Sequence, residues 1–164
     1  PTGASGTQLL PDSQMDRFTV RLSIGYPAPA DEREILLSRQ KGNPLLQVRQ
    51  VVTREELLSM QQEAANVYVK PELADYIVSL VGKTRQDPMI ARGASPRATL
   101  SLGAMAKSVA YVQGRDYVLP KDIQAVFVST CAHRLLLSAE ADAKGMRAEE
   151  LLESILKSTP APRI

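Results

Sequence analysis

The stretch Gly93-Ala94-Ser95-Pro96-Arg97-Ala98 constrains this chain more than any other, because it fixes where one long helix must begin. Ser95 is an effective N-cap, and Pro96 suits the first helical position, where its missing N–H is not needed. Behind Arg97 the apolar residues repeat with helical spacing: Ala98, Leu102, Met105, Val109 and Val112 share one stripe, while Leu100, Ala104 and Ala106 make other faces apolar. Such a helix is expected at the centre of a bundle, ending at Gly114. Arg97 then stands in a first turn, where a cation faces the positive end of the helix dipole at a penalty of about 0.3–1 kcal/mol. An anion between its guanidinium and the free backbone N–H groups removes that penalty, and a phosphate there makes a binding site. Arg54 and Lys121 also fall in predicted first turns, so the position permits a phosphate role without requiring one.

The other elements are set by the same punctuation. Pro1 to Pro11 carries loop chemistry, and Asp12 to Asp16 has room for one helical turn. Phe18-Thr19-Val20-Arg21-Leu22-Ser23-Ile24 alternates apolar and polar residues, which predicts a strand with one buried face. A lone strand must pair with a sheet elsewhere or lie on the surface of the helical region after it. Gly25-Tyr26-Pro27-Ala28-Pro29 reads as a stiff linker, which places a domain boundary between residues 1–26 and 27–164. From Ala30 onward the pattern is helical. Asp31, Glu32 and Glu34 put acids in a first turn, Gly42-Asn43-Pro44 stops that helix, and Leu45 to Val52 suggests a short extended piece. Thr53-Arg54-Glu55-Glu56 is a capping box opening a helix to about Val67, with Leu57, Met60 and Ala64 on one face. Pro71 starts the next, with Leu73, Ile77, Leu80 and Thr84 aligned, and Arg85 to Gly93 reads as a loop. Pro120 opens a helix with Ile123, Val126, Phe127, Thr130 and Cys131 inward, and Arg147 to Lys157 makes an amphipathic helix through Leu151, Leu152, Ile155 and Leu156.

Composition narrows the chemistry. With 164 residues, 44% hydrophobic and 23% charged, the chain has the profile of a globular domain able to bury a core. Its 20 basic and 18 acidic residues are interspersed, so the net charge of +2 gives no footprint for a nucleic-acid backbone or a membrane surface. No apolar run approaches the roughly 20 residues of a membrane span, and the one cysteine fits a reducing cytoplasm. No phosphate loop, dinucleotide fingerprint or metal-ligand cluster is present, and the first residue is Pro1, so the chain reads as part of a longer protein. His133 and Arg134 fall near a helix C-terminus, where basic groups complement the dipole, and Cys131 reads as a small buried apolar residue. By itself the chain is expected to catalyse nothing.

One succession of short motifs remains. Asp16-Arg17-Phe18 is succeeded by the predicted strand, by Gly25-Tyr26-Pro27-x-Pro29-x-x-Glu32-Arg33-Glu34-Ile35-Leu36, by Gly93-Ala94-Ser95-Pro96-Arg97-Ala98, by Gly114-Arg115-Asp116-Tyr117-Val118 and by His133-Arg134-Leu135. In order and spacing it resembles the C-terminal portion of the MoxR family of AAA+ ATPases, relatives of the magnesium-chelatase ATPase subunit. The family often has Glu where Asp12 stands and Tyr-Pro-Leu-Pro where Gln8-Leu9-Leu10-Pro11 stands. The resemblance implies a mainly α fold: a helical-bundle lid over 27–164, preceded over 1–26 by the end of the core domain with its last strand. It also implies that Arg17 is an arginine finger reaching the nucleotide of a neighbouring subunit, and that Arg97 is the sensor 2 arginine facing the γ-phosphate held by its own core. Tyr26 and Pro27 would border the adenine. ATP and Mg2+ are the implied cofactors of the full-length protein, with none expected on this segment and no metal-ligating residue in it. The implied partners are the protein's own core domain, a homo-oligomeric ring and a client protein matured in a chaperone-like way, often by metal insertion.

A rival reading from another class is a stand-alone helical adaptor that binds protein, or a helix-turn-helix module. Pro120 to Arg134 resembles a recognition helix in length only, since Ile123, Val126, Phe127 and Val128 leave too little polar face for a groove.

Overall fold

The computed structural model describes residues 10–40 and 42–163, so the loop expected over Pro1–Pro11 lies outside them except for its last two residues. In chain order the helices are α1 (Asp12–Met15), α2 (Pro29–Gln40), α3 (Arg54–Asn66), α4 (Pro71–Lys83), α5 (Pro96–Val112), α6 (Pro120–Cys131), α7 (Ala139–Ala143) and α8 (Ala148–Ser158). Two short strands, β1 (Ile90–Arg92) and β2 (Leu136–Leu137), pair antiparallel with Ile90 opposite Leu137. The chain divides into two compact units: the described residues up to Arg21 together with those from Glu63 onward, and Leu22–Gln62.

The first unit is a helical bundle. Helix α4 buries the predicted Leu73, Ile77, Leu80 and Thr84, and α6 buries all five of its predicted inward residues, with Phe127 fully enclosed. Leu151, Leu152 and Ile155 of α8 close the core. Helix α5 is central, as expected, and packs on both α4 and α6. Its buried row is Ala98, Leu102, Ala106 and Ala110. The sequence predicted a stripe continuing through Met105, Val109 and Val112. Instead Met105 and Val109 are half-buried, while Val112 and Leu100 are exposed. Residues four apart form a ridge along the helix, and alanines on that ridge let neighbouring helices approach closely. Packing therefore selects the small-residue row over the larger one.

The far end of α5 is tied to the start of α6. Gly114 adopts φ +70°, the left-handed position that ends a helix, and the Arg115 N–H reaches back to the Ala110 carbonyl at 3.0 Å. The Arg115 guanidinium then grips the Asp122 carboxylate through two bonds of 2.7 Å, while the Leu119 N–H donates to the same carboxylate at 2.8 Å. Burial pushes the Asp122 carboxyl upward, but these donors and the cation hold it below its ordinary value.

Three local expectations are corrected. The strand predicted over Phe18–Ile24 does not form. Its alternation is real, but no strand of the described residues lies beside it, and a single backbone bond, Arg21 N–H to the Ser129 carbonyl at 2.9 Å, ties it to α6. The loop expected over Arg85–Gly93 contains β1, because Ile90 is buried and pairs with β2. Residues 44–47 form a 3-10 turn capped by Asn43 where an extended piece was expected, and α7, capped by Ser138, was not predicted.

The second unit contains α2, the 3-10 turn and most of α3. The capping box forms as read: Glu56 N–H donates to Thr53 Oγ1 at 3.1 Å and Thr53 N–H to Glu56 Oε2 at 2.6 Å. Yet none of the described residues between Leu22 and Gln62 is buried, and Leu57 and Met60, predicted to face inward, are 48% and 39% exposed. The pattern that makes the helix is satisfied locally; the residues of the unit do not cover its apolar face. Among the described residues, no helix is long and apolar enough to cross a membrane.

Candidate functional site

The loop leading into α5 is fixed residue by residue. A Cβ on Gly93 would lie 2.6 Å from the Thr84 carbonyl oxygen and 2.7 Å from the Arg85 backbone, so only glycine lets the loop come this close to the end of α4. Ala94 is buried; its N–H donates to Thr84 Oγ1 at 3.0 Å, and its carbonyl accepts from Arg85 Nε at 2.8 Å. Ser95 is extended and caps the helix, its Oγ accepting from the Arg97 N–H at 3.2 Å. The motif thus sets a rigid first turn that presents Arg97 outward, with its side chain 53% exposed.

The segment around α1 lies on this helix start. The Ser95 hydroxyl donates to the Asp16 carboxylate, at 2.9 and 3.0 Å to the two oxygens, while accepting from Arg97 N–H. Asp16 also stands 4.0 Å from Arg97 Nε and 3.7 Å from Arg134 Nε. An internal carboxylate therefore already offsets part of the first-turn penalty on Arg97, and the helix dipole alone no longer calls for a phosphate. What remains is geometric: the contact with Asp16 is at the limit of ion pairing, and the guanidinium faces outward.

Arg134 behaves differently from Arg97. Its side chain is 1% exposed, and Nη2 donates to the Phe18 carbonyl at 2.6 Å and to Ser101 Oγ at 3.1 Å. His133 Nε2 also reaches the Phe18 carbonyl, at 2.9 Å. A carbonyl only accepts, so Nε2 carries the proton, and the Arg134 Nε group 3.4 Å away is a neighbour of that nitrogen, not a donor to it. Burial pulls the His133 pKa down, with the charges of Arg134 and Arg21 adding to it against the Phe18 bond and Asp16, so the ring is neutral at pH 7. His133 and Arg134 lie at the end of α6, as read, in the 3-10 turn Ala132–Arg134, and beyond any effect on the dipole they hold the Asp16-Arg17-Phe18 turn. Cys131, just before them, is buried as expected, its thiol pushed up to about 12 by desolvation.

Arg17 lies between the two held residues. It is exposed; its backbone N–H donates to the Gln14 carbonyl at 3.0 Å, while its side chain makes no hydrogen bond or ion pair with the described residues. Farther contacts secure the same segment, Arg92 to Asp12 at 2.6 Å and Arg21 to Glu149. The structure so ties the turn that carries Arg17 to the helix start that carries Arg97, through the bond of Ser95 to Asp16. Tyr26 and Pro27 belong to the second unit, where both are exposed. Sequence reasoning assigned no site role to Asp16, Ser101, His133 or Arg134; the signal for the last two was their place in the chain of motifs. Among the described residues, no three His, Cys, Asp or Glu side chains are grouped to hold a metal.

The bundle with its arginine-bearing helix start is that of an AAA lid: the family described as AAA lid domain matches residues 82–155. The curated relatives are more particular. Chaperone MoxR1 of Mycobacterium tuberculosis is 36% identical over 173 residues, covering 100% of this chain and 45% of that protein. Uncharacterized protein YeaC of Bacillus subtilis is 36% identical over 162 residues, covering 99% of this chain and 51% of its own length. The crystal structure of a candidate ATPase from Cytophaga hutchinsonii superposes with a TM-score of 0.91 at 32% identity, over 99% of this chain and 52% of that one. The chain thus spans about half the length of the relatives it matches. Along its whole length the chain resembles about half of a MoxR chaperone, and residues 82–155 within it resemble an AAA lid domain.

Proposed function

We propose that the full-length protein hydrolyses ATP and that this segment supplies two of the cations the reaction needs. Arg97 is the sensor 2 arginine, facing the γ-phosphate bound by its own core, and Arg17 is the arginine finger, reaching the nucleotide of the next subunit in a homo-oligomeric ring. Residues 1–26 are the end of the core and 27–164 the lid, with Tyr26 and Pro27 at the adenine. The observation that carries this reading is the outward, weakly engaged guanidinium of Arg97 on a rigid helix start, with exposed Arg17 on the turn beside it. Two cations so placed fit phosphoryl oxygens, and ATP with Mg2+, held by the core, supplies the bond that is broken. The arginines put positive charge where negative charge accumulates on the transferring group. Because Arg97 gains a phosphate partner only in the ATP-bound protein, lid and core shift with the nucleotide, and the ring passes that motion to a client in chaperone-like maturation or metal insertion in the cytoplasm. Kinship with the magnesium-chelatase subunit belongs to the same proposal.

In the full-length protein, Arg97→Ala lowers ATP turnover by about 10²-fold and leaves the melting of the lid nearly unchanged, since the side chain is exposed. Unchanged turnover overturns the sensor assignment. Arg17→Ala lowers turnover by about 10³-fold, and mixing with a phosphate-loop lysine variant restores part of it, because each variant supplies what the other lacks.

A further inference from the structure

An exposed arginine on a four-residue helix and turn has no stiffness of its own, and the predicted strand that would have anchored Arg17 is not formed. Yet the residues on both sides are fixed. Asp16 is bonded through Ser95 to the start of α5, and the Phe18 carbonyl accepts from Arg134 and His133 together. Arg134 is an expensive choice for a merely structural contact. It is buried, its nearest carboxylate is 3.7 Å away, and its Nη1 has no hydrogen-bond partner among the described residues. A guanidinium is always charged and projects its donors in a fixed fork, so it can hold a carbonyl and a hydroxyl at set angles as no flexible ammonium can.

We propose that Arg134 is the positioning residue of the trans-acting finger: by holding the Phe18 carbonyl, with His133, against Ser101 of α5, it fixes the backbone from which Arg17 projects. The inference rests on the finger reading above. Its consequence is that the cation serving the protein's own nucleotide, Arg97, and the cation serving the neighbour's, Arg17, are mounted on one hydrogen-bonded cluster, with Asp16 bonded to the Ser95 cap on one side and Arg134 on the other. A movement of α5 that tracks the nucleotide in one subunit then carries the finger offered to the next.

The test uses full-length protein carrying Arg134→Met, which keeps bulk and removes the donors. Turnover is expected to fall about 10- to 100-fold, with KM for ATP changed less than about twofold, because the subunit's own site is intact. Adding Arg134→Met to Arg17→Ala is expected to lower turnover no further than Arg17→Ala does alone. Mixing Arg134→Met subunits with a phosphate-loop lysine variant is expected to recover activity, as mixing does for Arg17→Ala. Wild-type turnover, a KM raised in step with the loss of kcat, additive losses in the double variant, or rescue of Arg17→Ala without rescue of Arg134→Met each overturns the positioning role while the finger stands. Failure to rescue Arg17→Ala removes the finger reading, and this proposal with it. If circular dichroism shows that Arg134→Met does not fold, Arg134→Lys is judged by the same four criteria, since it keeps the charge and loses the fork.

Discussion

The two compact units are both helical and both rich in leucine and valine, yet among the described residues only one has a core. In the bundle, Leu73, Leu80, Leu102 and Leu152 are fully enclosed. Between Leu22 and Gln62, Leu45, Leu46 and Val48 are 67%, 85% and 74% exposed, and no described residue is buried. The helices of the second unit are nonetheless well formed, with acids in the first turns of α2 and α3 and a reciprocal cap on α3. The difference teaches that helix signals and burial are separate pieces of information. Caps and propensities decide whether a segment coils; tertiary packing supplies most of the stability.

The comparison is open to direct attack. Asp122→Ala strands the Arg115 guanidinium at the joint of α5 and α6 and is expected to destabilise the bundle by about 3–5 kcal/mol, read by denaturant unfolding. Leu80→Ala is expected to lose about 2–5 kcal/mol, and Gly93→Ala about 1–3 kcal/mol, because its new methyl meets backbone that cannot yield. Leu46→Ala is expected to change stability by less than about 0.5 kcal/mol. A loss from Leu46→Ala as large as that from Leu80→Ala would break the contrast. Acid sharpens it further. Asp122 has a lowered folded-state pKa, so its contribution is complete above the ordinary carboxyl range and is lost as pH falls through that depressed value. A bundle melt that does not depend on pH in the acid range would contradict the pairing. The smallest signal is chemical: Cys131, buried and poorly ionised, is expected to resist thiol reagents at neutral pH until the bundle opens.

Much of the bundle was legible because its residues obey one rule at a time. Proline at the first position of α4, α5 and α6, glycine after α5, and single apolar stripes on α4, α6 and α8 reported their elements directly. Helix α5 was misread by half a face, since periodicity weighs Met105 and Val109 as more apolar than Ala106 and Ala110 while packing prefers the smaller pair. The alternation at Phe18–Ile24 was a true strand pattern without a ladder to join. At the candidate site, Ser95, Pro96 and Arg97 were readable from cap chemistry. The hold of Arg134 and His133 on Phe18 spans 116 and 115 positions and uses a main-chain oxygen, which carries no side-chain signature.

The 17 residues of α5 make a rod about 26 Å long, seated at one end by Ser95 and at the other by the grip of Arg115 on Asp122. A tilt of about ten degrees about the Ser95 end displaces the opposite end by about 4–5 Å on that length. A tilt of that kind therefore moves the surface near Tyr111 and Arg115 farthest, a mechanical gain that comes from length and stiffness alone.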